Sequence, residues 1–170
     1  MNRPSMLAAT AASILFVSLA MPAGNSAAQD SKSLIGTWTA VASNTIDASG
    51  KRTPIFGPNP RGSLIFAPNG HYSLMLARAS LPKFTSNSRE RGSAEENKSI
   101  VAGSISHYGK YTVNDFDKTL TFHVETSTYP NWDGSAQKRP FTVSGDRLTY
   151  RVAEVSSGAG SGEVVWKRVK

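Results

Sequence analysis

From Gly36 to Val169 the chain runs in short stretches rich in β-branched, aromatic and aliphatic residues, broken by clusters of Gly, Pro, Asn, Asp and Ser. Stretches of this kind at short spacing read as strands joined by turns. Gly36–Ala42 is the first. Ser63–Phe66 and His71–Arg78 follow, the latter with Tyr72, Leu74 and Leu76 on one face. Ala67-Pro68-Asn69-Gly70 joins those two, since Asn-Gly suits a hairpin turn that needs φ > 0. Tyr108–Val113, Lys118–Thr126, Gln137–Val143, Arg147–Ala153 and Glu163–Val169 complete a set of eight. Asp47–Lys51 reads as a turn, and the Pro- and Gly-rich stretch Pro54–Gly62 as an irregular loop that closes one end of the sheet. One helix interrupts the strands. Ser93–Ile105 opens on the capping box Ser93-Ala94-Glu95-Glu96 and carries a narrow apolar stripe, Ile100, Val101 and Ile105, expected to lid or plug the sheet. A meander of this size avoids exposed edges best by closing on itself. The expected fold is all-β: an eight-stranded antiparallel up-and-down barrel with one short helix, its interior filled by side chains or holding one small ligand.

The segment before the strands has a different character. Arg3 precedes an apolar run from Met6 to Met21, Pro22 and Gly24 break it, and Ser26-Ala27-Ala28 supplies small residues for cleavage. This is the pattern of a signal peptide over residues 1–28, leaving a barrel domain over 29–170 and no transmembrane segment after cleavage. An uncleaved N-terminal anchor is the alternative. The expected location is periplasmic or secreted. There is no Cys, so disulfides, thiolate metal sites and a cysteine nucleophile are excluded, and the core must suffice alone. The formal net charge of +7, less Arg3, becomes +6. The basic residues are scattered, without the clustered patch and interleaved aromatics of a nucleic-acid face, so no nucleic-acid partner is expected.

Gly36-Thr37-Trp38 opens the first strand, and Trp166-Lys167-Arg168 lies on the last. Between them come Phe56-Gly57-Pro58-Asn59-Pro60-Arg61-Gly62, Asn69-Gly70-His71-Tyr72-Ser73, His107-Tyr108-Gly109-Lys110-Tyr111, Pro130-Asn131-Trp132-Asp133-Gly134 and Arg139-Pro140-Phe141. In this ordered set the chain resembles the bacterial lipocalin-like domain family, small β-barrel proteins. The resemblance covers nearly all of the chain after residue 28. It implies a lipocalin-like barrel in which Trp38 closes one end and Arg168 packs over it. It implies no reaction. The helix departs from the pattern: it lies mid-chain here, whereas in typical lipocalins it follows the eighth strand.

The best candidate for chemistry is Thr121-Phe122-His123-Val124-Glu125. In a strand, His123 and Glu125 share one face, and Leu120, Phe122 and Val124 the other. With the polar face inward, His123 and Glu125 sit in the barrel as a polar anchor or an acid–base pair. With the apolar face inward, they lie on the surface. Arg139, on the next strand, is placed to pair with Glu125, to bind an anionic ligand in a fork geometry, or to form an ordinary surface salt bridge. Tyr72, Tyr108, Tyr111, Trp132 and Tyr150 are candidate ligand-contacting aromatics or ordinary core and rim residues, with Trp132 the best placed for the rim. His71, His107 and His123 lie on separate elements and would form a metal site only through barrel closure, so no metal or other cofactor is expected. Three functions stay open: an exported protein binding a small apolar or aromatic molecule, a barrel isomerase or cyclase using His123 and Glu125, and a filled structural barrel of the envelope.

Overall fold

The computed structural model describes residues 31–158 and 160–170; the expected signal peptide lies outside them. Nine strands form one antiparallel sheet: β1 (Gly36–Ile46), β2 (Arg52–Pro54), β3 (Arg61–Phe66), β4 (His71–Ala77), β5 (Ser104–Asn114), β6 (Thr119–Ser127), β7 (Ala136–Ser144), β8 (Arg147–Val152) and β9 (Ser161–Arg168). Pairing runs β1-β3-β4-β5-β6-β7-β8-β9, and β9 returns to β1, which closes an eight-stranded barrel. The three-residue β2 adds only to the far end of β1. The sheet is an up-and-down meander, as its hairpin turns imply. Gly70 holds φ at +82° in the β3–β4 turn, where its N–H reaches the Ala67 carbonyl at 3.1 Å.

Two bulges set which residues face inward. Between Ala40 and Ala42 the β1–β9 register slips, and Ser43 comes inside. Between Tyr108 and Gly109 the β5–β6 register slips, so that Ser127 is buried although Thr126 is exposed. A side chain at Gly109 would meet the His123 carbonyl at 2.0 Å, so only glycine lets the two strands approach there.

The helix α1 (Ala94–Gly103) is shorter than expected and does not plug the barrel. Its capping box is present: Glu96 N–H donates to Ser93 Oγ at 3.2 Å, and Ser93 N–H to Glu96 Oε2 at 2.8 Å. The apolar stripe is not. Ile105 belongs to β5, Val101 is 74 % exposed, and only Gly103 of the helix is buried. Three apolar positions, one of them drawn into a strand, leave too narrow a face to bury.

The two ends of the barrel are built differently. One end is sealed by a 3-10 turn, Ser31–Leu34, beneath Trp38. Leu34 and Trp38 are fully buried, and the Trp38 indole N–H donates to the Leu34 carbonyl at 2.8 Å. Arg168, the register partner of Trp38, lies 4.0 Å above its ring and donates to the Ile35 carbonyl at 3.0 Å and to the Ser33 carbonyl. Above this seal, Phe66, Tyr72, Phe122 and Tyr150 fill the barrel with rings, Phe122 standing 4.5 Å from Tyr72 and 6.0 Å from Phe66. The other end carries the Phe56 loop, the 3-10 turn Pro130–Trp132 and the β8–β9 connection.

Candidate functional site

At this second end a cavity of about 50 Å³ remains inside the barrel. Leu74, Leu76, Ile105, Val152 and Val164 form its apolar wall, Phe56, Trp132 and Val155 its roof, and Ser43, His107, Arg139 and Tyr150 its polar positions. Strand parity places each group. His107 follows Ile105 at i+2 on β5, Arg139 precedes Phe141 at i+2 on β7, and Tyr150 lies between Leu148 and Val152 on β8; all of these are buried. Phe56 is 6 % exposed, so the Pro- and Gly-rich loop does close this end.

The polar groups inside carry no negative charge. Burial, with a further contribution from the Arg139 charge, pushes the His107 imidazole down to about 3, so it is neutral at ordinary pH. The Tyr72 hydroxyl lies 2.8 Å from His107 Nδ1 and satisfies that nitrogen. Burial raises the Tyr72 and Tyr150 phenols above their ordinary value, and both stay neutral. Burial also lowers the Arg139 guanidinium from its ordinary value, but arginine remains protonated in proteins. Arg139 donates to Gln137 Oε1, and its Nε–H has no acceptor. Its guanidinium carbon lies 5.6 Å from the Tyr150 ring, 5.9 Å from Phe122 and 6.0 Å from Trp132.

The residues singled out in the sequence divide around the barrel wall. Arg139, Trp132 and Tyr72 come together inside, Tyr72 behind His107 and Trp132 with its ring perpendicular to the His107 imidazole at 5.6 Å. Tyr111 does not join them. It is half-buried at the sealed end, edge-on to Phe66 at 4.8 Å, with its hydroxyl donating to the Ala67 carbonyl at 3.1 Å. His123 and Glu125 are exposed on the outside, because Leu120, Phe122 and Val124 take the inner face of β6. The polar anchor expected from His123 and Glu125 is therefore absent from the interior, as is an acid–base pair made of them. His123 Nε2 instead lies 3.1 Å from Thr112 Oγ1 on the outer surface. Arg139 forms no ion pair with Glu125, unlike Arg52 with Glu163 and Lys170 with Asp146, which pair at the surface. His71 and His123 are outside and His107 inside, so the wall separates the three histidines. Trp38 and Arg168 stand in contact as the resemblance implied.

Tyr150, one of the candidate aromatics, lines the cavity as well, whereas His107 and Ser43 are interior groups that the sequence reading did not place inside. For His107 the signal was present, in its alternation with Ile105, Gly109 and Tyr111. For Ser43 it was not, since the bulge that turns it inward leaves no mark in the sequence.

The geometry has a counterpart among known families. A family model described as a lipocalin-like domain matches residues 35–169, which takes in the whole barrel from the start of β1 to the end of β9. A search of curated proteins finds no match.

Proposed function

The chain belongs to the lipocalin-like domain family, and we propose that it is an exported protein that takes a small molecule with an apolar or aromatic body into the unsealed end of its barrel. The observation that carries this reading is the asymmetry of the interior. One half is filled by rings, while the other keeps a cavity whose apolar wall surrounds a few buried polar groups. Such a combination is the usual makeup of a small-molecule site. Export rests on the leader-like composition of residues 1–28, and the absence of Cys fits a core that is self-sufficient outside the cell.

The cavity of about 50 Å³ has room for only a few waters. A ligand body must therefore lie beyond the cavity or displace its roof, Phe56, Trp132 and Val155. These three are carried on connections rather than strands, the parts of a barrel that yield most readily. The same small volume favours a second reading, a filled structural barrel without a ligand. Native mass spectrometry of the protein purified from its host separates the two. A bound small molecule that is lost on denaturation is the expected result. A clean apo mass, with no change in melting temperature across a broad metabolite panel, would establish the filled barrel instead.

A further inference from the structure

Arg139 is a buried cation with no anion to match it. The residue is 5 % exposed, its one hydrogen bond goes to the neutral Gln137 amide, and its Nε–H is without a partner. The groups that share its cavity, His107, Tyr150 and Ser43, are neutral, and so is Tyr72 behind them. Glu154, exposed on the rim, forms no ion pair with it. Three aromatic faces at 5.6 to 6.0 Å offer partial compensation, but a charge taken out of water into such a site is costly unless something completes it. A functional site is where that cost is tolerated.

The space beside Arg139 suits a head group and not a whole ligand. Its cavity of about 50 Å³ shares Ile55, Phe56, Ile105 and Ser156 with a surface hollow of about 280 Å³. That hollow is walled further by Val101, Ala102, Thr128 and Tyr129. It also takes in Val101, an apolar side chain of α1 that is largely exposed.

We propose that the ligand is an amphipathic monocarboxylate, with its carboxylate on the Arg139 guanidinium and its apolar body leaving past Phe56 toward Val101 and Tyr129. This assignment rests on the small-molecule reading above. A carboxylate matches the planar donor fork of arginine, and the water-poor interior strengthens the pair. A neutral or cationic head would leave the charge unmatched or oppose it.

The test uses three probes on the purified protein at neutral pH. The neutral fluorophore N-phenyl-1-naphthylamine reports binding to the barrel. Decanoate and decan-1-ol compete against it with the same chain and different heads. Decanoate is expected to displace the fluorophore about tenfold to a hundredfold better than decan-1-ol. Arg139→Met and Arg139→Gln should abolish that preference while the fluorophore still binds, which also shows that both variants fold. Val101→Asp, at an exposed position, should weaken decanoate about fivefold or more by removing apolar contact from its chain. Fluorophore binding with decanoate no better than decan-1-ol would overturn the carboxylate assignment and leave the barrel reading standing. The assignment also fails if both Arg139 variants keep the preference, or if Val101→Asp leaves decanoate affinity unchanged. A folded wild-type protein that binds none of the three probes would remove the barrel reading and this inference together.

Discussion

Arg168 and Arg139 both lean on aromatic rings of the same barrel, one at each end, and the fold treats them differently. Arg168 lies 4.0 Å over Trp38, is partly open to solvent, and donates to the carbonyls of Ile35 and Ser33. It ties the 3-10 turn at the sealed end to the last strand. Arg139 is more deeply buried, stands farther from its rings, and has one neutral acceptor and an unmet donor. The first arginine is complete within the chain and acts as a staple. The second is incomplete within the chain, at the one end of the barrel that keeps a cavity. Burial alone thus says little about a charged residue's role; how far its donors are satisfied within the chain distinguishes the two arginines.

The sealed end is the more sensitive to substitution. Trp38→Ala removes a fully buried ring and should cost about 3–5 kcal/mol, read as a lowered urea midpoint. A loss under ~1 kcal/mol would show that the seal is dispensable. Acid tests the other end through His107, whose folded-state value near 3 lies below its ordinary 6.5. Between those values the unfolded chain binds the proton and the folded protein does not, so stability is full above about pH 6.5 and falls as pH drops toward 3. The slope approaches about 1.4 kcal/mol per pH unit. His107→Gln should flatten urea midpoints across that window, and an unchanged slope would place the pH dependence elsewhere. Tyr72→Phe leaves the buried His107 Nδ1 without its 2.8 Å partner and should cost about 1–3 kcal/mol. Arg168→Met loses two carbonyl bonds and the stacked ring and should cost about 1–2 kcal/mol. Smallest of all, His123→Ala and Glu125→Ala should each stay within about 0.5 kcal/mol, with ligand binding unchanged, because both side chains are outside. A lost affinity in either variant would mean that the outer face of β6 takes part after all.

How far the sequence could be read follows the same division. The meander was legible because hairpin turns and alternation are local signals: Asn69-Gly70 marks one turn, and Leu120, Phe122 and Val124 mark the inner face of β6. The seal was legible because Trp38 and Arg168 belong to a family resemblance that covers nearly all of the chain after residue 28. Arg139 was visible as a candidate, but not that its three partners would be rings rather than Glu125, since that depends on which face of β6 turns inward. Tyr111 looked like the other aromatics and differs only in depth, its position on β5 lying nearer the sealed end. The helix shows a limit of another kind. Its cap is chemistry between neighbours and appears as read, while its apolar face depended on a packing partner that the barrel does not supply.

If Arg139 holds its charge for a ligand, it should add no net stability to the empty barrel, whereas Arg168 should. The most direct measurement is urea unfolding of ligand-free Arg139→Met beside Arg168→Met and wild type. Arg139→Met should be at least as stable as wild type, by up to about 4 kcal/mol, because an unmatched buried charge is replaced by an apolar side chain of similar length. Arg168→Met should be the less stable of the two variants. A destabilised Arg139→Met, matching the loss in Arg168→Met, would make both arginines staples and contradict the claim.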